Sequence, residues 1–206
     1  MRQKETIFLE TGDTREPYIA DLIHGATVAE LQTADAQWQP FLAQAVADAL
    51  ARGVPLFDLP DNKHWEWDRK ARAMRAGSVA FAIRADADTQ ALMIVRTDKV
   101  CRLPEQSAEP MAYVDYLATA PWNQPRLVTS PRYTKGGQSM IEAAIRYSIS
   151  LGFDGRIGLH SLRGAEGFYR DRLKMRELGA DPFYENLRYF EATAKEATEI
   201  MNRRKI

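Results

Sequence analysis

The chain of 206 residues has one cysteine, three histidines and no excess of either charge, with Lys and Arg numbering 28 and Asp and Glu also 28. A lone cysteine, Cys101, excludes an intrachain disulfide and fits a reducing compartment. Within K-V-C-R-L it reads as a strand residue rather than a reactive thiol. His24, His64 and His160 stand far apart and lack close ligand spacing, so no metal site is expected. Balanced charge removes the bulk electrostatic steering that draws proteins onto nucleic acid. No apolar run approaches the roughly 20 residues of a bilayer span. The opening M-R-Q-K-E-T-I-F-L-E-T-G lacks the apolar core of a signal peptide. Together these absences predict a cytoplasmic protein without a membrane partner.

What is present is enough apolar sequence, 45% of the chain, to bury one substantial core. The expectation is a single domain over 1–206, in which 1–77 carries an opening strand and helices and 78–193 carries the core sheet. Thr6–Glu10 reads as a strand. Ile19, Leu22, Ile23, Ala26 and Val28 recur at roughly helical spacing from Arg15 to Gln32, with Thr14 as cap. Trp38 to Leu50 forms a clear amphipathic stripe closed by Gly53 and Pro55. Phe57–Lys63 reads as a loop and His64–Arg75 as a charged helix ending at Gly77. Ser78–Arg84 and Gln90–Arg96 form a hairpin about the turn Asp86–Asp88. Lys99–Leu103 extends that strand or makes a short edge. Tyr113–Thr119 is the next strand, Ser139–Leu151 a periodic helix, Arg156–Leu159 a strand and Ala165–Leu173 a helix. Leu187–Thr193 is the closing strand before a charged tail. This order predicts an α+β sheet with helices on both faces.

The chemistry concentrates between Tyr113 and Tyr169. The strand Y-V-D-Y-L-A-T-A-P-W-N leads to the glycine turn Y-T-K-G-G-Q-S, the periodic helix, the strand R-I-G-L-H-S-L and then A-E-G-F-Y. A glycine turn opening a helix can cradle a phosphate, because backbone N–H groups converge there and the helix dipole adds positive potential. The order of these pieces resembles the acyl-CoA site of the GNAT superfamily of N-acetyltransferases, over roughly Val79 to Glu191. The resemblance implies a mixed, mostly antiparallel central sheet of about six or seven strands flanked by helices.

It further implies that acetyl-CoA is the co-substrate. Its pantetheine arm would pair with Leu117, Ala118 and Thr119 where the strand splays from its neighbour, with Pro121 ending the ladder. The family's Q/R-x-x-G-x-G/A loop places Arg132 first and Gly137 last, with Thr134, Lys135, Gly136, Gln138 and Ser139 completing the pyrophosphate cradle. Lys135 stands where the first glycine is expected. In F-Y-x-x-x-G the tyrosine becomes Tyr169, a phenol that would protonate the departing thiolate, and Leu173 takes the place of the glycine. Gly179 would then end a longer form of that helix.

Acyl transfer to an amine also needs a base. Asp115, sharing a strand face with Tyr113 and Leu117, is the candidate, with pairing to an arginine as the alternative. In H-W-E-W-D, Trp65 and Trp67 cannot share one helical face, so at least one should touch a ligand, a partner or an adjoining loop. With Glu66 they make an aromatic and acidic rim suited to a cationic amine, and a core anchor is the plainer alternative. Tyr113, Trp122 and Asn123 are further acceptor-side candidates, and His160 is a second titrating group near the end of its strand. The expected reaction is direct transfer of acetyl from acetyl-CoA to a primary amine on a small molecule or a protein. The rival readings are a degenerate module sensing CoA or a partner protein, and an interaction protein that reuses the fold. A homodimer formed through an exposed sheet edge fits either.

Overall fold

The computed structural model describes residues 2–203. Its strands are β1 (Gln3–Thr11), β2 (Pro17–His24), β3 (Ser78–Ala85), β4 (Asp88–Arg96), β5 (Ala112–Thr119), β6 (Tyr133–Thr134), β7 (Ile157–Ser161), β8 (Arg176–Asp181) and β9 (Leu187–Ala192). The α-helices are α1 (Val28–Ala51), α2 (Trp67–Arg72), α3 (Gly136–Ser150) and α4 (Ala194–Asn202). The strands hydrogen-bond in the order β6-β1-β2-β3-β4-β5-β7-β9-β8, a mixed and mostly antiparallel sheet flanked by helices. No helix among the described residues is long and apolar enough to cross a membrane.

The chain divides into two compact units. One comprises residues up to Ile94 together with Tyr116–Met140; the other comprises Val95–Asp115 and residues from Ile141 onward. In the first unit, β1 and β2 run antiparallel from Gln3↔His24 to Glu10↔Pro17, and β2 meets β3 from Asp21↔Arg84 to His24↔Phe81. Thr27 opens α1 with a capping box: its hydroxyl accepts from the Glu30 N–H while the Glu30 carboxylate reaches back to the Thr27 N–H. The core gathers three tryptophans. Trp38 stands edge-on to Trp67 (6.1 Å, 85°) and to Trp122 (6.5 Å, 82°), and its indole N–H donates to the Thr89 carbonyl at 3.0 Å.

Buried Asp35, on α1, fixes the start of α2. It accepts from the backbone N–H of Trp67 at 2.9 Å and of Asp68 at 3.3 Å. Glu66, the residue preceding α2, makes no side-chain cap. A carboxylate among the first N–H groups of a helix satisfies orphan donors and complements the dipole.

In the second unit β7 pairs in parallel with β5 and antiparallel with β9, which pairs with β8. Its core joins Cys101, Met111, Tyr113 and Tyr189. Fully buried Glu191 is satisfied by the backbone N–H of Arg102 (2.7 Å) and Leu103 (3.1 Å), by Gln106 Nε2 (2.7 Å) and by the Tyr189 hydroxyl (2.7 Å). Burial and that carboxylate push the Cys101 thiol up to about 12, so it stays protonated.

Several expected elements differ. Residues Arg15 to Gln32 are strand β2, a turn and the first residues of α1, not one helix. The spacing of Ile19, Leu22 and Ile23 misled because Leu22 and Ile23 are both buried, so the strand buries both faces there instead of alternating. Helix α2 covers only six residues of the charged segment. Lys99–Leu103 contributes one bridge, Val100↔Pro110, and no strand. Ala165–Leu173 is a short 3₁₀ turn followed by a π-helical turn over Phe168–Arg172. Gly179 ends no helix: it lies within β8 at φ 88, where the β8–β9 register slips between Glu177 and Ala180. The tail folds as α4, capped by Thr193 and Glu196, and residues 204–206 lie outside the described part. Among the described residues nine strands replace the expected six or seven.

Candidate functional site

Most of the residues singled out in the sequence belong to the first unit; Tyr113, Asp115 and Tyr169 belong to the second. The glycine turn begins with β6, where Thr134 and Tyr133 pair with Glu10 and Thr11 of β1. Beside it Gly12 donates its N–H to the Arg132 carbonyl at 2.9 Å. A Cβ on Gly12 would overlap the Pro131 carbonyl oxygen, so glycine is what lets this backbone lie against the end of β1. Tyr133 donates its backbone N–H to Asn123 Oδ1 at 2.9 Å and its hydroxyl to Asp86, which also accepts from Tyr18. The Tyr133 and Tyr18 hydroxyls hold the Asp86 carboxyl below its ordinary range. The Arg132 guanidinium lies 4.9 Å from the centre of the Trp122 ring and pairs with Asp88 at 3.2 Å.

Lys135 adopts φ 67. This is the left-handed conformation that glycine reaches without strain and other residues rarely enter. The resemblance places glycine at this residue, and here lysine takes up that conformation. The Lys135 ammonium pairs with Glu10 at 2.9 Å, which pulls the Glu10 carboxyl down. Directly afterwards α3 begins, and the Ser139 N–H returns to the Lys135 carbonyl at 2.9 Å.

The hydroxyl of Ser139 is buried without a hydrogen-bond partner, the one such side-chain atom among the described residues. Leaving a buried hydroxyl unpaired costs about 1–3 kcal/mol. A partner supplied from outside the chain would recover that energy. A Cβ on Gly136 would touch Thr119 Cγ2 at 3.4 Å and Ala91 Cβ at 3.7 Å, so the start of α3 sits against the end of β5. The structure thus brings together Thr119 and the 132–139 loop.

The β5–β7 ladder runs from Ala112↔Ile157 to Val114↔Leu159 and stops there, three residues into β5. Beyond it, Ala118 is buried, Leu117 and Thr119 are half-buried, and the Thr119 carbonyl accepts from Gln124 Nε2 at 2.8 Å. A 3₁₀ turn follows at Pro121–Asn123. Trp122 and Asn123, the acceptor-side candidates after the strand, are both buried. Gln90 Oε1 accepts from the Trp122 indole at 2.8 Å and from Asn123 Nδ2 at 2.9 Å.

In H-W-E-W-D the two tryptophans part company. Trp67 is buried in the core, the plainer of the two alternatives, and Glu66 is exposed. Trp65 is half-buried and meets Tyr116 edge-on at 5.3 Å, with the Lys70 ammonium 4.2 Å from the Trp65 ring centre and 3.5 Å from that of Tyr116.

In the second unit, Tyr113 is buried and its hydroxyl is engaged by His160 Nδ1 at 2.6 Å, while His160 Nε2 meets Asp181 Oδ2 at 3.0 Å. Burial pushes His160 below its ordinary value, so the ring is neutral. It then accepts from Tyr113 at Nδ1 and donates to Asp181 at Nε2. The Tyr184 ring stacks on it at 3.9 Å. His160 is therefore a fully engaged structural group. Asp115 lies 3.8 Å from the Arg96 guanidinium, the arginine pairing set as the alternative to a base.

Tyr169 sits in the π-helical turn, packed on Phe168 at 5.1 Å and Phe190 at 5.8 Å. Burial raises its pKa, which keeps the proton on the phenol. The turn is closed by the Leu173 N–H bonding the Phe168 carbonyl at 3.0 Å. Such a turn holds one residue more than an α-turn. The left-handed exit accordingly falls on Lys174 (φ 58), one place beyond Leu173, where the resemblance puts glycine.

Sequence reasoning missed Gly12, Gln90, Lys70 and Tyr116. Gln90 had a visible signal, a lone amide at the head of A-L-M-I-V. The others depend on contacts between residues far apart in the chain.

No protein-family model matches the chain, and no curated protein does. Similar solved structures include a GNAT-family acetyltransferase from Listeria monocytogenes, 9% identical, covering 91% of this chain and 99% of that one at a TM-score of 0.49. The PaiA N-acetyltransferase of Thermoplasma acidophilum in complex with coenzyme A is 10% identical, covering 84% and 98% at 0.49. An N-acetyltransferase from Staphylococcus aureus is 10% identical, covering 95% and 99% at 0.47. The solved structures to which this chain is similar thus include acetyltransferases, one of them described as of the GNAT family, and also bacterial toxins.

Proposed function

We propose that this protein is an acyl-CoA-dependent N-acetyltransferase that moves acetyl from acetyl-CoA to a primary amine. The observation that carries the reading is the buried, partnerless hydroxyl of Ser139 in the first turn of α3, directly after a left-handed residue. An N-terminal helical turn with an unmet hydroxyl suits an anion rich in acceptor oxygens, and the pyrophosphate of CoA is one. The pantetheine arm would take the backbone of Leu117–Thr119. The amine nitrogen attacks the thioester carbonyl, the C–S bond breaks, Tyr169 gives its proton to the thiolate, and Asp115 accepts the amine's proton through water.

One observation favours the second reading, a module that binds CoA or a partner without turnover. The charges of Arg132, Lys135 and Asp115 are already met by Asp88, Glu10 and Arg96. Calorimetric titration with acetyl-CoA, with Gly137→Asp as the blocked control, tests the site. Binding to the parent protein and none to the variant is expected; no binding to either refutes the acetyltransferase reading. Thiol release with an amine panel then separates them. Tyr169→Phe should reduce turnover by about a hundredfold or more with acetyl-CoA affinity unchanged.

A further inference from the structure

The ammonium of Lys70 occupies a cage. Two aromatic rings at 89° to one another, Trp65 and Tyr116, face the same charge, at 4.2 and 3.5 Å. Two ring faces turned toward one cation is the arrangement by which proteins recognise alkylammonium groups. Tyr116 immediately precedes Leu117–Thr119 on β5, and Trp65 lies just ahead of α2, whose start is fixed by Asp35. The cage walls are therefore set by a sheet strand and a tethered helix start. The cation is carried on a flexible four-carbon stem from a six-residue helix. The cavity beside Trp65, lined also by Trp38, Gln39 and Asn62, has a volume of about 10 Å³, no more than one water needs.

We propose that the Trp65–Tyr116 pair is a binding subsite for an alkylammonium group, with Lys70 as its built-in occupant that an incoming cation displaces. Resting on the acetyltransferase reading, this identifies the acceptor class as one carrying a positive charge besides the amine that is acylated. A cation held against two ring faces keeps its proton, so the group bound here orients the acceptor and a different nitrogen attacks. Lys70 has the same chemistry, a primary ammonium on an alkyl chain, and holds the subsite closed until such a ligand arrives.

The test uses the full chain without acyl-CoA and tetramethylammonium chloride as probe, against matched sodium chloride. The chain has four tryptophans, so the indole N–H signals in a nitrogen–proton correlation spectrum report each one separately. In Lys70→Ala the Trp65 signal should move with the probe at a midpoint at least about fivefold lower than in the parent protein, the scale of one cation–π contact. Lys70→Met should behave alike, whereas Lys70→Arg, which keeps a cation in the cage, should remain closed. Equal midpoints in the parent and both opened variants overturn the proposal, as do shifts spread evenly over all four indoles. Failure of acetyl-CoA to bind would refute the acetyltransferase reading and leave the cage result standing; the reverse pattern would refute the cage alone.

Discussion

Replacing Gly12 with alanine should unsettle the candidate cofactor loop from outside it. Gly12 is not in a left-handed conformation, so alanine meets no backbone strain and the cost is steric. Its Cβ would overlap the Pro131 carbonyl oxygen and stand 2.6 Å from the carbonyl carbon. Both are main-chain atoms and cannot swing aside as a side-chain end would. The 131–132 backbone must retreat, which also breaks the 2.9 Å bond from the Gly12 N–H to the Arg132 carbonyl. Overpacking of this kind costs about 1–3 kcal/mol and the lost bond about 1 kcal/mol more. For a chain of this length each kcal/mol lowers Tm by roughly 2–4 °C, so a fall of about 4–16 °C is expected. Circular dichroism melts measure it, and acetyl-CoA titration of the folded variant should show weaker binding because Arg132 and Tyr133 have moved. A variant that melts within about a degree of the parent would refute the argument that this close approach shapes the loop.

Ser139→Ala should leave the ligand-free protein as stable or slightly more so, since it removes an unpaired buried hydroxyl, while weakening acetyl-CoA by about fivefold; a loss of stability with unchanged affinity would count against the site. The Arg102 guanidinium holds the Asp181 carboxyl down to about 2 from an ordinary 3.8, so its contribution to stability is present above about pH 4 and is lost as pH falls toward 2. His160 is depressed by burial from 6.5, so its neutral form also favours the fold above that pH and stability begins to fall below it. Melts from pH 7 downward should show both arms, with Asp181→Asn lacking the lower one. Gly158→Ala would put a methyl 2.6 Å from the Tyr189 hydroxyl and 2.7 Å from Met111 Sδ; urea unfolding should show a loss of about 1–3 kcal/mol.

The hairpin β3–β4, the strands β5 and β9 and the helix α3 were legible because each carries a period long enough to outweigh local composition. β2 was not, because the successive buried residues Leu22 and Ile23 break the alternation and, with Ile19, fall at spacings a helix also uses. β8 escaped because R-E-L-G-A-D is polar, and it holds its place through its ladder with β9. The loop 132–139 was singled out for its glycines, yet the φ of Lys135 and the unmet hydroxyl of Ser139 were invisible in sequence. Trp122 and Asn123 read as acceptor-side candidates, and their bonds to Gln90, over 30 residues away, could not be seen in the sequence. The cage around Lys70 depends on Tyr116, 46 residues further along the chain, a contact no short-range pattern encodes.

Lysine at two of the left-handed positions, Lys135 and Lys174, changes how these segments would be prepared for a ligand. Glycine in their place would let the turns wander between right- and left-handed φ and would leave that freedom to be lost on binding. A lysine accepts a standing strain of about 1–2 kcal/mol but has few other conformations near the one observed. The Glu10 pair further ties down the Lys135 side chain. Both turns should therefore be pre-organised, with amide hydrogens that exchange slowly in the empty protein and change little in rate when ligand arrives.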